Sequence, residues 1–246
     1  MNLCILLPTY NNVSTLLPMV EELAGFQLPM VVVNDGSGAS MKPVFEQLEK
    51  RADVTVVHRT HNGGKGAAVR DGIRWAQQSG YTHVLQMDAD RQHAVEDVPR
   101  FLEAASANPE FLILGKPIFP ANTPISRLNG RKISIIWVWI ETLSKAIEDP
   151  LFGFRVYPVP ATVRALRSPF LGKRMDFDPE VAVRLVWAGV PVQTIETPVT
   201  YHEDGVSHFR LFYDNVLISW MHTRLFFGML IRSWKLIGRR IFKRKR

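Results

Sequence analysis

Short apolar runs of strand length alternate with amphipathic segments of helical length through the first half of the chain, and that alternation limits the fold more than any other feature. The runs are Leu3–Pro8, Met30–Asn34, Val54–His58, His83–Met87 and Phe111–Gly115. Between them lie Thr15–Ala24, Lys42–Arg51, Lys65–Ser79 and Ala94–Ala105, which have helical length and patterning. A run such as Val31-Val32-Val33 suits a strand covered on both faces, as in a parallel sheet. The order predicts a doubly wound α/β layer, a mostly parallel sheet with helices on both faces. In such sheets ligands bind beyond the carboxyl ends of the strands. Three polar clusters fall there: Thr9-Tyr10-Asn11, Asn34-Asp35-Gly36-Ser37 and Asp88-Ala89-Asp90. One would be an ordinary turn; three in succession point to a site on one edge of the sheet.

The second half is less regular. Ile125–Ile147 is expected to form a long helix with an apolar middle, and Phe154–Pro158 a further strand. Asp178-Pro179-Glu180 has the form of a helix start, with Asp178 as cap and Pro179 at the first helical position. That helix should run to Ala188 and stop at Gly189. The chain of 246 residues is long enough for one large domain with an appendage. The α/β domain is expected over residues 1–210 and a helical tail over 211–246. Met1–Pro8 has no basic lead-in and reads as a buried strand, not a signal peptide. Cys4 is the only cysteine, which excludes an intrachain disulfide and fits a reducing, cytoplasmic setting.

The formal net charge of +7 is unevenly placed. Arg224–Arg246 holds nine of the 30 Lys and Arg and none of the 23 acids, so the rest of the chain is slightly acidic. A nucleic-acid binder would spread its basic residues over a folded face, and the asymmetry points instead to a local anionic partner.

Asp88 and Asp90 carry the chemical reading. On extended chain, residues two apart can present both carboxylates to one side, roughly 6–7 Å apart along the backbone. Hard oxygen ligands at a cleft rim suit Mg²⁺ or Mn²⁺, and Gln92 adds a neutral oxygen. Such an ion would stabilise a departing diphosphate as a Lewis acid. Acidic pairs of this kind also cap helices. Asp35, after the second strand, can accept from a nucleobase N–H, or can form an Asx-turn that only ends the strand. Asn62-Gly63-Gly64-Lys65-Gly66 resembles a phosphate loop without Walker spacing, and Lys65 could lie near a diphosphate. The same glycines also serve a close strand-to-helix turn.

In combination these residues resemble glycosyltransferase family 2, on a GT-A fold. Pro8-Thr9-Tyr10-Asn11-Asn12 is similar to its opening P-x-Y-N-E, and Val33-Asn34-Asp35-Gly36-Ser37 to its V-[DN]-D-G-S. Asp88-Ala89-Asp90-Arg91-Gln92-His93 resembles the D-A-D-x-Q-H of the polyprenol-phosphate sugar transferase branch. Asp149-Pro150-Leu151-Phe152-Gly153-Phe154-Arg155 resembles that branch's D-x-x-S-G-F-R. The resemblance implies a nucleotide-sugar donor, UDP- or GDP-linked, with Asp35 at the base and Pro8, Thr9, Tyr10 and Asn11 along the same pocket. It implies Asp88, Asp90 and Gln92 around a divalent metal, with Lys65, Arg131 and Arg155 among the donor contacts. Gly205-Val206-Ser207-His208-Phe209-Arg210 resembles an acceptor loop G-x-S-K, so His208 and Arg210 are expected at phosphate. Three residues depart from the pattern: Asn12 replaces Glu, Phe152 replaces Ser and His208 replaces Lys.

The branch inverts at the anomeric carbon by single displacement. A phosphate acceptor is already anionic and needs no base, whereas a hydroxyl would need a carboxylate. Asp149 is the first candidate for that base and Asp178 the second; a turn residue before Pro150 is the structural alternative for Asp149. A nucleotidyltransferase would carry a glycine-rich basic loop near the first strand, where Pro8-Thr9-Tyr10-Asn11 stands instead. A non-catalytic scaffold on the same fold is the other alternative.

Leu211–Ile237 is rich in Leu, Phe, Trp, Ile and Met, but Arg224 and Arg232 interrupt it. The run Leu225–Ile231 is far short of the roughly 20 apolar residues that span a bilayer. One or two interfacial helices with a basic end are therefore expected, a peripheral attachment to anionic lipid at the cytoplasmic face. A helix packed on the core would be the alternative. A lipid or lipid-linked acceptor fits the first reading, and Trp137 and Trp139 are expected to help shape a lipid-facing groove.

Overall fold

A computed structural model describes residues 1–121, 123–200 and 210–243. Its strands are β1 (Leu3–Thr9), β2 (Met30–Asn34), β3 (Val54–His58), β4 (His83–Gln86), β5 (Leu112–Ile118), β6 (Arg155–Pro158) and β7 (Val192–Pro198). They form one sheet in the order β3-β2-β1-β4-β6-β5-β7. The helices are α1 (Leu16–Ala24), α2 (Lys42–Leu48), α3 (Lys65–Gln78), α4 (Val98–Ala107), α5 (Ile125–Thr142), α6 (Val159–Ala165), α7 (Phe177–Ala188) and α8 (Leu211–Lys243).

β1 shows why the sheet is covered on both sides. Its seven residues are all buried, and they alternate between two cores. Leu3, Ile5 and Leu7 join Leu16, Met19, Leu23, Phe45 and Phe101 on one face. Cys4 and Leu6 join Val69, Ile73, Phe177, Val181 and Leu225 on the other. Alternation of side chains across a strand, apolar in both directions, requires helices on both faces.

The sheet is mostly parallel, as the alternation implies, with one exception. β6 runs antiparallel between β4 and β5, pairing Gln86 with Arg155 on one side and Leu114 with Arg155 on the other. Its start therefore lies at the edge where β1, β2 and β4 end. β7, which the sequence reading omits, is an edge strand: Val192, Gln193 and Thr194 are half-buried, and buried and exposed positions alternate from Ile195 to Pro198.

Two element expectations are corrected. The helix expected over Ile125–Ile147 ends at Thr142, because Leu143 turns left-handed (φ 49°) and its N–H closes on the carbonyl of Ile140. The helix expected to start at Pro179 begins two residues earlier, at Phe177 with Asp176 in the cap position, so Asp178 stands inside the first turn. The tail, expected as one or two helices, is a single helix of 33 residues. Arg224 and Arg232 do not break it, because each turns back onto the body: Arg224 to Glu180 and the Phe170 carbonyl, Arg232 over the Trp187 ring.

α8 packs on α5 and α7. Met221, His222, Leu225, Met229 and Leu236 are buried beneath it. Phe212, Val216, Trp220, Phe227, Ile231 and Trp234 are exposed. At 100° per residue these six fall within an arc of about 120°, an apolar stripe opposite the packed face. Ile133, Ile136 and Ile140 of α5 are exposed as well. Among the described residues no helix is long and apolar enough to cross a membrane.

Candidate active site at the carboxyl edge of the sheet

Parallel register brings the strand ends together: Thr9 pairs with Asn34, and the Met87 N–H reaches the Leu6 carbonyl. The turn after β1 is closed by Asn12, whose Oδ1 accepts from Thr9 Oγ1 (3.1 Å) and from the Tyr10 N–H (3.1 Å). Asn11 takes φ 57° and its Oδ1 accepts from the Gly38 N–H at 2.8 Å, tying this turn to the one after β2. Asparagine tolerates that left-handed backbone better than most residues. Pro8 is the penultimate residue of β1.

Asp35 is almost wholly buried. The Asx-turn at this strand end belongs to its neighbour, Asn34, whose Oδ1 accepts from the Ser37 N–H at 2.8 Å. Asp35 instead holds the glycine loop: Oδ1 accepts from the Gly63 N–H at 2.9 Å and Oδ2 from the Gly64 N–H at 2.7 Å. Arg59 Nε lies 2.8 Å from the same Oδ1. Gly64 sits at φ 95°, and a side chain there would also collide with the backbone of Lys173 and Arg174. Glycine is the residue that both conditions allow.

The loop delivers Lys65 at the start of α3. Its Nζ lies 2.7 Å from Asp88 Oδ1 and 2.7 Å from Asp178 Oδ2. Burial pushes this lysine's pKa down, but Asp178 and Asp88 outweigh it and raise the pKa above the ordinary lysine value. Burial likewise pushes the Asp88 carboxyl up, yet Lys65 and then His93 more than offset it, and the net shift is downward. His93 Nδ1 accepts from the Asp88 N–H at 3.2 Å, while its ring stacks on Phe154 at 5.5 Å. Burial lowers its own pKa. Gly153 closes this cluster, since a Cβ there would run into Asp88 Oδ2 and Lys65 Nζ.

Asp88 and Asp90 are not on extended chain. β4 ends at Gln86, Ala89 and Asp90 form a turn, and Arg91 has φ 60°. Asp90 Oδ1 accepts from the Gln92 N–H at 3.0 Å, a short-range bond that tightens the turn. Among the described residues Asp90 Oδ2 and the Gln92 side-chain oxygen make no hydrogen bond or ion pair. No three His, Cys, Asp or Glu side chains of those residues gather as a metal cluster. The free donors are therefore one carboxylate oxygen and one amide oxygen beside a lysine-paired carboxylate. Such an all-oxygen set fits a hard divalent cation that completes its shell with water and phosphate.

Asp149 and Arg155 shape the segment that carries Gly153. Asp149 Oδ1 accepts from the N–H groups of Leu151 (2.9 Å) and Phe152 (3.0 Å), and Oδ2 from Arg131 Nε (2.8 Å). Burial raises its carboxyl pKa, opposed by Arg131 and the two amides. Arg155, expected among the donor contacts, is fully buried and lies inside the fold. Its three guanidinium nitrogens go to the carbonyls of Phe152 (2.7 Å), Asp178 (2.6 Å) and Pro150 (2.5 Å). A planar fork suits that task, and with the side chain 0% exposed it presents no face to a phosphate. Arg210 is exposed ahead of α8, with its N–H on Asp214 Oδ2 at 2.7 Å. His208 lies outside the described residues. Trp139, expected in a lipid-facing groove, donates its ring N–H to the Ile147 carbonyl at 2.8 Å.

Sequence reasoning assigns no role to Arg59, His93 or Gly153. The β2–β3 register, Asn34 opposite His58, places Arg59 beside Asp35, and that pairing is not visible in a linear sequence. His93 and Gly153 stand inside the motifs already quoted and could be found from them. Their reasons for being there are contacts with residues far along the chain.

A mixed α/β sheet with acidic and glycine-rich strand ends, and an antiparallel strand beside the central β4, is the GT-A arrangement. The chain belongs to glycosyltransferase family 2: the family "Glycosyl transferase family 2" matches residues 4–164. It is 31% identical over 208 residues to polyprenol monophosphomannose synthase of Mycolicibacterium smegmatis, covering 81% of this chain and 77% of that protein. It is 29% identical over 214 residues to undecaprenyl-phosphate mannosyltransferase of Micrococcus luteus, covering 82% and 84%. In fold it matches glucosyl-3-phosphoglycerate synthase of Mycobacterium tuberculosis, crystallised with Mn²⁺, UDP-glucose and phosphoglyceric acid. That match has a TM-score of 0.67 at 13% identity and covers 93% of this chain and 79% of that one.

Proposed function

We propose that this glycosyltransferase moves a sugar, with inversion, from a nucleoside-diphosphate sugar to a polyprenyl-phosphate acceptor at a membrane surface. One observation carries the reading: the Lys65–Asp88 pair, the Asp35-held glycine loop and the Asp90–Gln92 turn meet on one sheet edge. The two relatives are named for polyprenol and undecaprenyl phosphates, which supports the acceptor class. The solved structure with Mn²⁺ and UDP-glucose supports the donor class.

Thr9, Tyr10, Asn11 and the buried Asp35 frame the base pocket. Asp90 and Gln92 would hold a divalent metal beside Asp88. When bound, that ion supplies Lewis-acid stabilisation of the leaving diphosphate. Lys65 stands at the N-terminus of α3, where the helix dipole adds to its charge and favours the same anion. Asp149 and Asp178, the two carboxylates considered as base, are each committed, to Arg131 with two amides and to Lys65. That favours a phosphate acceptor, which needs no base, over a hydroxyl.

The apolar stripe of α8, followed in sequence by Arg239, Arg240 and Lys243 to Arg246, supplies the membrane contact. Apolar burial with several cations near anionic lipid gives peripheral binding, here at the cytoplasmic face.

The test is a thermal-shift panel of UDP, GDP and their sugars with Mn²⁺. A metal-dependent shift for one nucleotide, lost in Asp90→Ala, is the expected result. No shift with any nucleotide, for folded protein with lipid present, would overturn the reading.

A further inference from the structure

A cavity of about 920 Å³ lies between α8 and the segment joining α6 to α7, with Gly63 of the glycine loop in its wall. Gly63, Arg174 and Tyr213 mark one end, with the Arg174 guanidinium 5.6 Å from the Tyr213 ring. Trp187, Gly228 and Arg232 mark the other, with the Arg232 guanidinium 4.7 Å from the Trp187 ring. From Tyr213 to Arg232 the helix covers roughly 28 Å. Between these ends the walls are apolar: Leu171, Leu217 and Leu225 on the inside, Trp220, Phe227 and Ile231 on the rim.

The charges are one-sided. Lys173, Arg174, Arg184, Arg224 and Arg232 line the cavity against one acid, Asp176. Arg184 and Arg224 are already paired with the buried Glu180. Lys173 and Arg232 are exposed. The rim residues Trp220, Phe227 and Ile231 belong to the exposed stripe of α8, so the cavity opens onto the surface assigned to the bilayer. Its inner end abuts the glycine loop: the Lys173 carbonyl accepts from the Ala67 N–H at 2.9 Å, one turn or less from Lys65.

An apolar channel with cations at its ends, joining a bilayer-facing stripe to the loop that positions Lys65, is complementary to an anionic amphiphile. We infer that this groove holds a single prenyl phosphate, its phosphate at Lys173 and Arg174 and its hydrocarbon along α8 toward Trp187 and Arg232. The inference rests on the reading of the acceptor as a lipid phosphate and assigns its chain a place.

Trp187 and Trp220 line the groove and report on it. The full chain is titrated with monomeric farnesyl phosphate, with farnesol, inorganic phosphate and phosphatidylglycerol vesicles as comparisons. A saturable change in tryptophan emission with farnesyl phosphate, absent in Trp187→Phe/Trp220→Phe and about tenfold weaker in Lys173→Glu/Arg232→Glu, is expected. The charge-reversed protein should show a matching rise in KM for prenyl phosphate with the donor KM unchanged. Both reversed side chains are exposed, so circular dichroism should match that of the parent. An identical titration in the charge-reversed protein would overturn the groove, as would a response to vesicles alone. Binding here without sugar transfer would keep the groove and remove the acceptor reading. Transfer to farnesyl phosphate with no emission change would do the reverse.

Discussion

The ammonium of Lys65 sits between the two oxygens of Asp88, 2.7 Å from Oδ1 and 2.8 Å from Oδ2. A chelated carboxylate of this kind is held in charge and in place, and the same ammonium also meets Asp178. Replacement by Lys65→Met takes the ammonium from between two largely enclosed acids and leaves Asp178 only the more distant Arg155, at 4.0 Å. The loss of stability should be about 3 kcal/mol, read by urea denaturation at neutral pH. Because the folded Asp88 pKa is depressed, the stabilisation is present above the ordinary carboxylate range and is lost as pH falls through the folded value. The difference between parent and Lys65→Met should therefore shrink in acid, below about pH 4. A constant difference would mean that Lys65 acts through packing alone.

Gly153 is small because Asp88 and Lys65 occupy the space a side chain would take. Gly153→Ala should displace both groups while the core, centred elsewhere, stays intact. Transferase kcat/KM is expected to drop roughly tenfold to a hundredfold, with a near-native circular dichroism spectrum. Unchanged kinetics would show that the Lys65–Asp88 geometry is not needed for turnover.

His83 is buried, and its Nε2 lies 2.7 Å from the Pro109 carbonyl. Burial lowers its pKa in spite of that bond. The unfolded chain therefore binds the proton more readily, and stability rises with pH through the range just below about 6.5. The urea midpoint should fall as pH drops from about 7.5 to about 5, and His83→Gln should flatten the profile. A midpoint that falls equally in both proteins would assign the effect to another group.

Phe212 and Trp234 lie near the two ends of the α8 stripe, 85% and 68% exposed. Phe212→Asp and Trp234→Asp should each weaken sedimentation with phosphatidylglycerol vesicles about tenfold, from the apolar area no longer buried in lipid. Thermal stability should hold, since neither side chain is part of the packed face. Full vesicle binding by the double variant would place the membrane contact on another surface.

Much of the fold is legible along the chain because strand periodicity, helix length and turn chemistry act over a few residues. The apolar runs became β1 to β5, and the polar clusters fell at the ends of β1, β2 and β4 because parallel strands share one carboxyl edge. β7 escaped notice because an edge strand buries too little to need a continuous apolar run. The antiparallel insertion of β6 between β4 and β5 was equally hidden, since four residues carry no mark of direction.

Local chain pattern is enough to say which groups stand at the sheet edge, but what each of them does there depends on neighbours that only folding supplies. Asp35, Asp88, Asp149 and Asp178 are chemically the same carboxylate. One holds two glycine amides, one shares Lys65 with another, and one closes a turn against Arg131. Arg155 reads as a donor contact in a motif and is a buried tie between three carbonyls in space. The reason is physical: a charged group's role follows from the dielectric and the partners around it, and folding brings those from distant parts of the chain.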